Sequence, residues 1–157
     1  MAVSQEFQTD VDTLYQLLTD PDFLVARSGA LGEEHCECEV EEYEDETVIT
    51  LMRRVKRELP SFLAKLFNPI QTLKMTETWR PDGNDWQGDL EITVEGQPVV
   101  IRGEFTLKPS KKGCVYSVSH SCKAKIPLVG GKVEKFVLSQ TGDGAKDELA
   151  FVGKKIA

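Results

Sequence analysis

The stretch 115–157, VYSVSHSCKAKIPLVGGKVEKFVLSQTGDGAKDELAFVGKKIA, decides the fold. Its first residues alternate. Tyr116, Val118, His120, Cys122, Ala124 and Ile126 share one face, and Ser117, Ser119, Ser121, Lys123 and Lys125 share the other. A period of two with one apolar face marks a half-buried strand. Pro127-Leu128-Val129-Gly130-Gly131 supplies a turn. Beyond it the period becomes helical: Val133, Val137, Thr141, Ala145, Leu149, Val152 and Ile156 lie on one face, widened by Phe136, Leu138 and Phe151. A long strand feeding a long terminal helix, in a chain otherwise rich in strands, predicts a sheet curled around that helix. Such a grip encloses space.

The middle of the helix is small and polar: Gln140-Thr141-Gly142-Asp143-Gly144-Ala145. A glycine inside a helix costs about 0.8–1 kcal/mol relative to alanine. Two expectations follow. Either the helix breaks near Gly142–Gly144, or bulk is kept out so that a ligand or another backbone can approach.

Upstream, Val3–Gln8 reads as a strand. Thr9-Asp10 caps a helix from Val11, with Val11, Leu14, Tyr15 and Leu18 at helical spacing. Asp20-Pro21 starts a second short helix, which Gly29 and Gly32 end. From Glu34 the period is two, with Cys36, Cys38 and Val40 inward and Glu37, Glu39 and Glu41 outward. Glu44-Asp45-Glu46 turns the chain into a strand over Thr47–Lys56. Strands follow over Ile70–Trp79, Trp86–Val94 and Val99–Leu107, separated by Pro81-Asp82-Gly83-Asn84 and Glu95-Gly96-Gln97-Pro98. Pro109–Gly113 turns into the last strand. The expected architecture is α+β: a seven-stranded antiparallel sheet wrapped around a long C-terminal helix. Two short helices follow strand one, and one short helix follows strand three.

That third helix belongs to the segment 59–69. Pro60-Ser61 opens it, Phe62, Leu63, Leu66 and Phe67 are its apolar positions, and Asn68-Pro69 closes it. It reads as a crossover packed on the sheet edge, or as a mobile lid over a pocket mouth. Beside it runs Arg53-Arg54-Val55-Lys56-Arg57. With a lid, Arg53, Arg54, Lys56 and Arg57 are placed for transient contact with an anionic membrane. Without one, the basic run is a solvated strand face.

The chain has 157 residues, 40% of them hydrophobic and 29% charged, which fits one soluble globular domain over 1–157. A net charge of −7 argues against general nucleic-acid binding, since neutralising phosphates needs a basic face. No apolar run approaches the ~20 residues that span a bilayer. Met1-Ala2-Val3-Ser4-Gln5-Glu6 lacks the basic and apolar regions of a leader, so the expected location is cytoplasmic. The cysteines at 36, 38, 114 and 122 are expected to be buried free thiols. A zinc site would need His120, Cys122, Cys36 and Cys38 to converge. Their spacing matches no standard zinc motif, and no metal is expected. Gly130-Gly131-Lys132 lacks the spacing of a phosphate loop, no dinucleotide fingerprint or nucleophile elbow is present, and no cofactor is expected.

The element order, together with Thr76-Glu77-Thr78-Trp79-Arg80-Pro81 and Ile126-Pro127-Leu128-Val129-Gly130-Gly131-Lys132-Val133-Glu134, resembles the START-like (SRPBCC, helix-grip) superfamily. The resemblance is to a bacterial branch described only as a domain of unknown function. It implies a cavity between sheet and terminal helix that takes a lipid, sterol or other apolar molecule. It does not imply a reaction, because fold does not fix function.

The first functional expectation is therefore a non-enzymatic carrier or sensor of an apolar (lipid, sterol or polyketide-like) molecule. Its expected walls are Met75, Trp79, Leu90, Ile92, Ile101, Phe105, Tyr116, Val118, Phe136 and Val137, with Glu77 and His120 as polar anchors. Repeated absence of co-purifying apolar mass, with a cavity under ~300 Å³, would sink it. A second expectation is a cyclase- or dehydratase-like enzyme using Glu77 and His120 as acid and base. The alternative for both residues is structural: Glu77 paired with Arg80 or Arg102, and a satisfied core histidine. A third expectation is a ligand-free protein-interaction module.

Overall fold

The computed structural model describes residues 2–157. Met1, the first residue of the stretch inspected for a leader, lies outside them. The strands are β1 (Ala2–Phe7), β2 (His35–Glu42), β3 (Thr47–Lys56), β4 (Ile70–Asp82), β5 (Asp85–Val94), β6 (Val99–Ser110) and β7 (Gly113–Ala124). The helices are α1 (Val11–Leu18), α2 (Pro21–Ala30), α3 (Ser61–Ala64) and α4 (Gly130–Ile156). All seven strands form one antiparallel sheet in the order β1-β7-β6-β5-β4-β3-β2. The α+β helix-grip arrangement expected from the periodicities is the arrangement observed.

Local chemistry explains the elements. Asp10 caps α1 by accepting from the Thr13 N–H at 2.7 Å, and Asp20 caps α2 by accepting from the Asp22 N–H at 3.0 Å. Pro21 opens α2, where its missing N–H costs nothing. The hairpins are tighter than the turn residues suggest. β4 runs through Pro81 to Asp82, leaving Gly83, at φ +63°, and Asn84 as a two-residue turn. β6 likewise runs through Pro109 to Ser110. Each proline sits near the end of its strand, opposite Trp86 and Cys114, where a lost ladder bond matters least.

The inner face of the sheet and one side of α4 hold the main core. α4 packs on β7 and β1. Gln5 in β1 reinforces that contact by donating from Nε2 to the Leu149 carbonyl at 3.2 Å. Val133, Leu149 and Val152 are buried anchors near the two ends of the helix. The helix does not break at Gly142–Gly144; it is continuous over 27 residues. Anchors on both sides hold the glycines in register, and packing outweighs the local propensity cost. Room is left beside this stretch: Gly144 borders open space, and an added Cβ would meet nothing within 4 Å.

An aromatic nest fills one end of the grip. Tyr15 on α1 stacks on Trp86 at 3.8 Å between centroids and meets Trp79 edge-on at 5.5 Å. Phe105 lies 4.6 Å from Trp79 and 5.8 Å from Tyr116. Gly88, paired with Phe105 across the β5–β6 ladder, makes room for it; a Cβ there would collide with the Thr78 carbonyl and the Phe105 ring. A second, smaller cluster joins Leu63 and Phe67 to Val99, Ala124 and Val133, and so seats α3 beneath the start of α4.

A partly polar cavity between sheet and terminal helix

Sheet, α2 and α4 enclose a cavity of about 270 Å³. Of the expected wall residues, Met75, Glu77, Trp79, Leu90, Ile92, Ile101, Tyr116, Val118 and His120 line it. Phe105 does not: it is packed into the aromatic nest behind Trp79 and Tyr116. Phe136 and Val137 do not reach it either. They line a separate pocket of about 50 Å³ with Leu63 and Phe67, because α4 has by then moved over the second cluster.

Glu77 faces the cavity between Ile49 of β3 and Leu90 of β5. It pairs with neither Arg80 nor Arg102, which lie on the outer face and bind Asp89 at 2.9 Å and Glu91 at 3.3 Å. Its partner is the Trp79 indole, which donates from Nε1 to Glu77 Oε1 at 2.5 Å. Adjacent even and odd positions explain the error: residues 77 and 80 are on opposite faces of a strand, while 77 and 79 share one. Burial pushes the Glu77 carboxyl up to about 7; the Trp79 hydrogen bond and the Arg27 charge pull the other way and only partly offset it. The part of Glu77 that is exposed faces the cavity. Burial also raises the Tyr116 phenol well above its ordinary value and lowers His120, so these two wall groups are neutral at pH 7. Glu77 thus changes its protonation state near neutral pH. It can donate a hydrogen bond to a neutral occupant or accept one from it.

One side of the cavity is charged. Arg27 Nη2 on α2 lies 3.4 Å from Glu148 Oε2 on α4, and Arg53 Nη1 on β3 lies 3.6 Å from the same oxygen. Arg53 also donates to Glu33 Oε2 at 3.1 Å, and the Ser28 hydroxyl donates to Glu33 Oε1 at 2.5 Å. Arg57 joins this side and donates to the Gln140 side-chain oxygen at 3.5 Å. Exposed Leu31, Gly32, Lys56 and Asp147 mark where the lining reaches solvent.

The expected basic surface is therefore divided. Arg53 and Arg57 share strand parity with Ile49, Leu51 and Val55 and turn inward; Arg53 is only 14% exposed. Arg54 faces out and pairs with Glu34 at 3.7 Å. Lys56 is exposed at the cavity's edge. In α3 and its flank, Leu63 and Phe67 are buried, while Phe62 and Leu66 are exposed. The Arg27–Glu148–Arg53–Glu33 network was missed from sequence. Its signal was parity: Arg53 lies among inward residues, and Arg27 follows Phe23 and Leu24 at helical spacing.

The cysteines are free, and burial raises Cys38, Cys114 and Cys122 to about 11. Cys36 and Cys38 lie on β2, at the far edge of the sheet from β7 with His120 and Cys122. Among the described residues no group of three or more His, Cys, Asp or Glu side chains converges to hold a metal. No helix among them is long and apolar enough to cross a membrane.

Solved bacterial structures share the fold. The protein TTHA0849 from Thermus thermophilus has a TM-score of 0.61 at 14% identity, over 99% of this chain and 95% of that chain. Protein Ms6760 from Mycobacterium smegmatis has a TM-score of 0.58 at 13% identity, over 98% and 87%. A conserved protein from Geobacillus kaustophilus has a TM-score of 0.55 at 16% identity, over 99% and 91%. At such identities the likeness concerns the fold alone. No curated protein matches the chain. One family does match, over residues 2–156, nearly the full length that forms the grip, and the chain belongs to it: the family described as "Protein of unknown function (DUF2505)".

Proposed function

We propose that the protein binds a small, largely apolar molecule between its sheet and α4, as a carrier or sensor, and that its family belongs with the START-like superfamily. The observation that carries this reading is the cavity itself. A core that needed only stability would be filled, because voids lose packing contacts. Here about 270 Å³ is left open beside Gly144 and Ala145. Apolar walls with a few convergent polar groups are the usual makeup of a ligand pocket, and this volume falls just below the common range of ~300–1,000 Å³. The occupant is accordingly small. Native mass spectrometry of protein purified from its own host is expected to show a co-purifying apolar mass. Gly144→Leu is expected to fill the space: it should remove that mass while raising helix stability by up to about 1 kcal/mol. Repeated absence of any bound mass in the parent protein would reject the reading.

Transient contact with an anionic membrane is a second proposal, supported by the end of the molecule around α3. Phe62 is 38% exposed, Leu66 42% and Leu128 fully exposed. Lys132 sets its ammonium 5.9 Å from the centre of the Phe62 ring. Apolar tips beside a lysine suit an anionic lipid surface. The triple variant Phe62→Ser, Leu66→Ser, Leu128→Ser is expected to lower co-sedimentation with phosphatidylserine vesicles several-fold. No vesicle binding by the parent protein would void this reading.

A further inference from the structure

The charged groups around the cavity are unevenly paired. Arg27 and Arg53 are both neutralised, sharing Glu148, with Glu33 also on Arg53. Arg57 has no carboxylate oxygen within 4 Å among the described residues; Glu33 and Glu148 act on it only from farther away. Its one side-chain hydrogen bond is a long contact to a neutral amide, 3.5 Å to Gln140. A guanidinium carries five N–H donors in a planar fork matched to a carboxylate, so most of this fork is unused. Its backbone is fixed, with the Arg57 N–H donating to the Pro69 carbonyl at 2.8 Å. Its position is specific as well. Arg57 lines both the 270 Å³ cavity and the 50 Å³ pocket, and so do Leu73, Ile101, Gln140 and Thr141. A cation with no carboxylate partner therefore stands where the partly polar cavity meets a smaller, mainly apolar pocket.

We propose that Arg57 is the head-group site of the cavity and that the occupant is a small apolar monocarboxylic acid, its carboxylate held by Arg57 and its apolar body against Leu73, Ile101 and the inner wall. This rests on the cavity being a ligand site. A carboxylate at Arg57 forms a charge-assisted, bidentate pair in a half-buried setting, where such pairs are stronger than in water. A neutral molecule of the same shape fills the same space and leaves the guanidinium unmatched. The deeper wall enforces that the charge goes to Arg57: Trp79, Tyr116 and His120 offer no cation at neutral pH, and Glu77 repels an anion once it loses its proton.

The test compares octanoate with octan-1-ol by calorimetric titration at pH 7.5. Wild-type protein is expected to bind octanoate at least tenfold tighter than octan-1-ol. Arg57→Gln is expected to abolish that preference, bringing the ratio of the two affinities to about one. Arg54→Gln, on the outer face, is expected to keep the preference. Equal affinity for the two probes in wild-type protein would overturn the head-group site and leave the cavity reading intact, a comparison that needs no variant to fold. A preference that survives Arg57→Gln would also overturn it, placing the anion elsewhere. Binding of neither probe would count against the cavity reading and this inference together.

Discussion

Trp79→Ala is expected to cost on the order of 3–5 kcal/mol of stability, enough to remove a large part of the stability of a domain this size. Trp79 is 1% exposed and touches every aromatic ring of the nest: Tyr15, Trp86, Phe105 and Tyr116. Its removal opens a void in that nest and takes away the hydrogen-bond donor to Glu77. Both changes act in the same direction, since a buried carboxylate without its donor is costlier. Urea unfolding followed by circular dichroism measures the loss. Trp79→Phe, which keeps most of the ring volume but not the N–H, should fall between the parent and alanine. A loss below ~1 kcal/mol for Trp79→Ala would mean that the nest collapses freely and does not organise the grip.

Glu77→Gln is expected to be the more stable protein at alkaline pH, and the sign follows from its proton. In the unfolded chain Glu77 titrates near the ordinary 4.5; in the fold it titrates at about 7. Between those values the folded state holds more protons than the unfolded state. Stability contributed by this group is therefore fully present below pH 4.5 and lost as pH rises through 7. At ~1.4 kcal/mol per pH unit, the rise from 4.5 to about 7 corresponds to a loss of at most about 3.5 kcal/mol. The lining reaches solvent on one side, and solvent screening reduces this. Glutamine keeps an oxygen for the Trp79 N–H and carries no charge. The two proteins should match near pH 4.5 and diverge by pH 8, with Glu77→Gln the higher in urea midpoint. Parallel curves across that range would show that the carboxyl titrates normally.

Much of the fold was legible in the sequence because its strands are amphipathic with few exceptions. The wall residues expected from the strands over Ile70–Trp79, Trp86–Val94 and Val99–Leu107 and from the last strand fall on the inner face, Glu77 and His120 included. The site was less legible. Arg53 and Arg57 read as part of a solvated basic run because five neighbouring residues were taken together, when a strand separates them by parity. Arg27, Arg53 and Glu148 meet only because α2 and α4 close on the same side of the sheet. Phe105 has the parity of a cavity wall, yet the aromatic rings beside it take that role. Phe136 and Val137 lie on the correct helix face but too near the start of α4, where that face already covers Leu63 and Phe67.

By itself, the sequence determined the order of elements, their type and which side of each strand is buried, because these depend on periodicities within a few residues. Tertiary structure alone decided what the terminal helix does at Gly142–Gly144 and what the grip encloses. Buried anchors on both sides of the glycines keep the helix continuous. The small residues then leave room in the cavity instead of breaking the chain. Whether such room is filled depends on side chains brought from distant strands and helices, and so does the choice of which arginine finds a carboxylate. Those distances are set by packing, which no local pattern encodes.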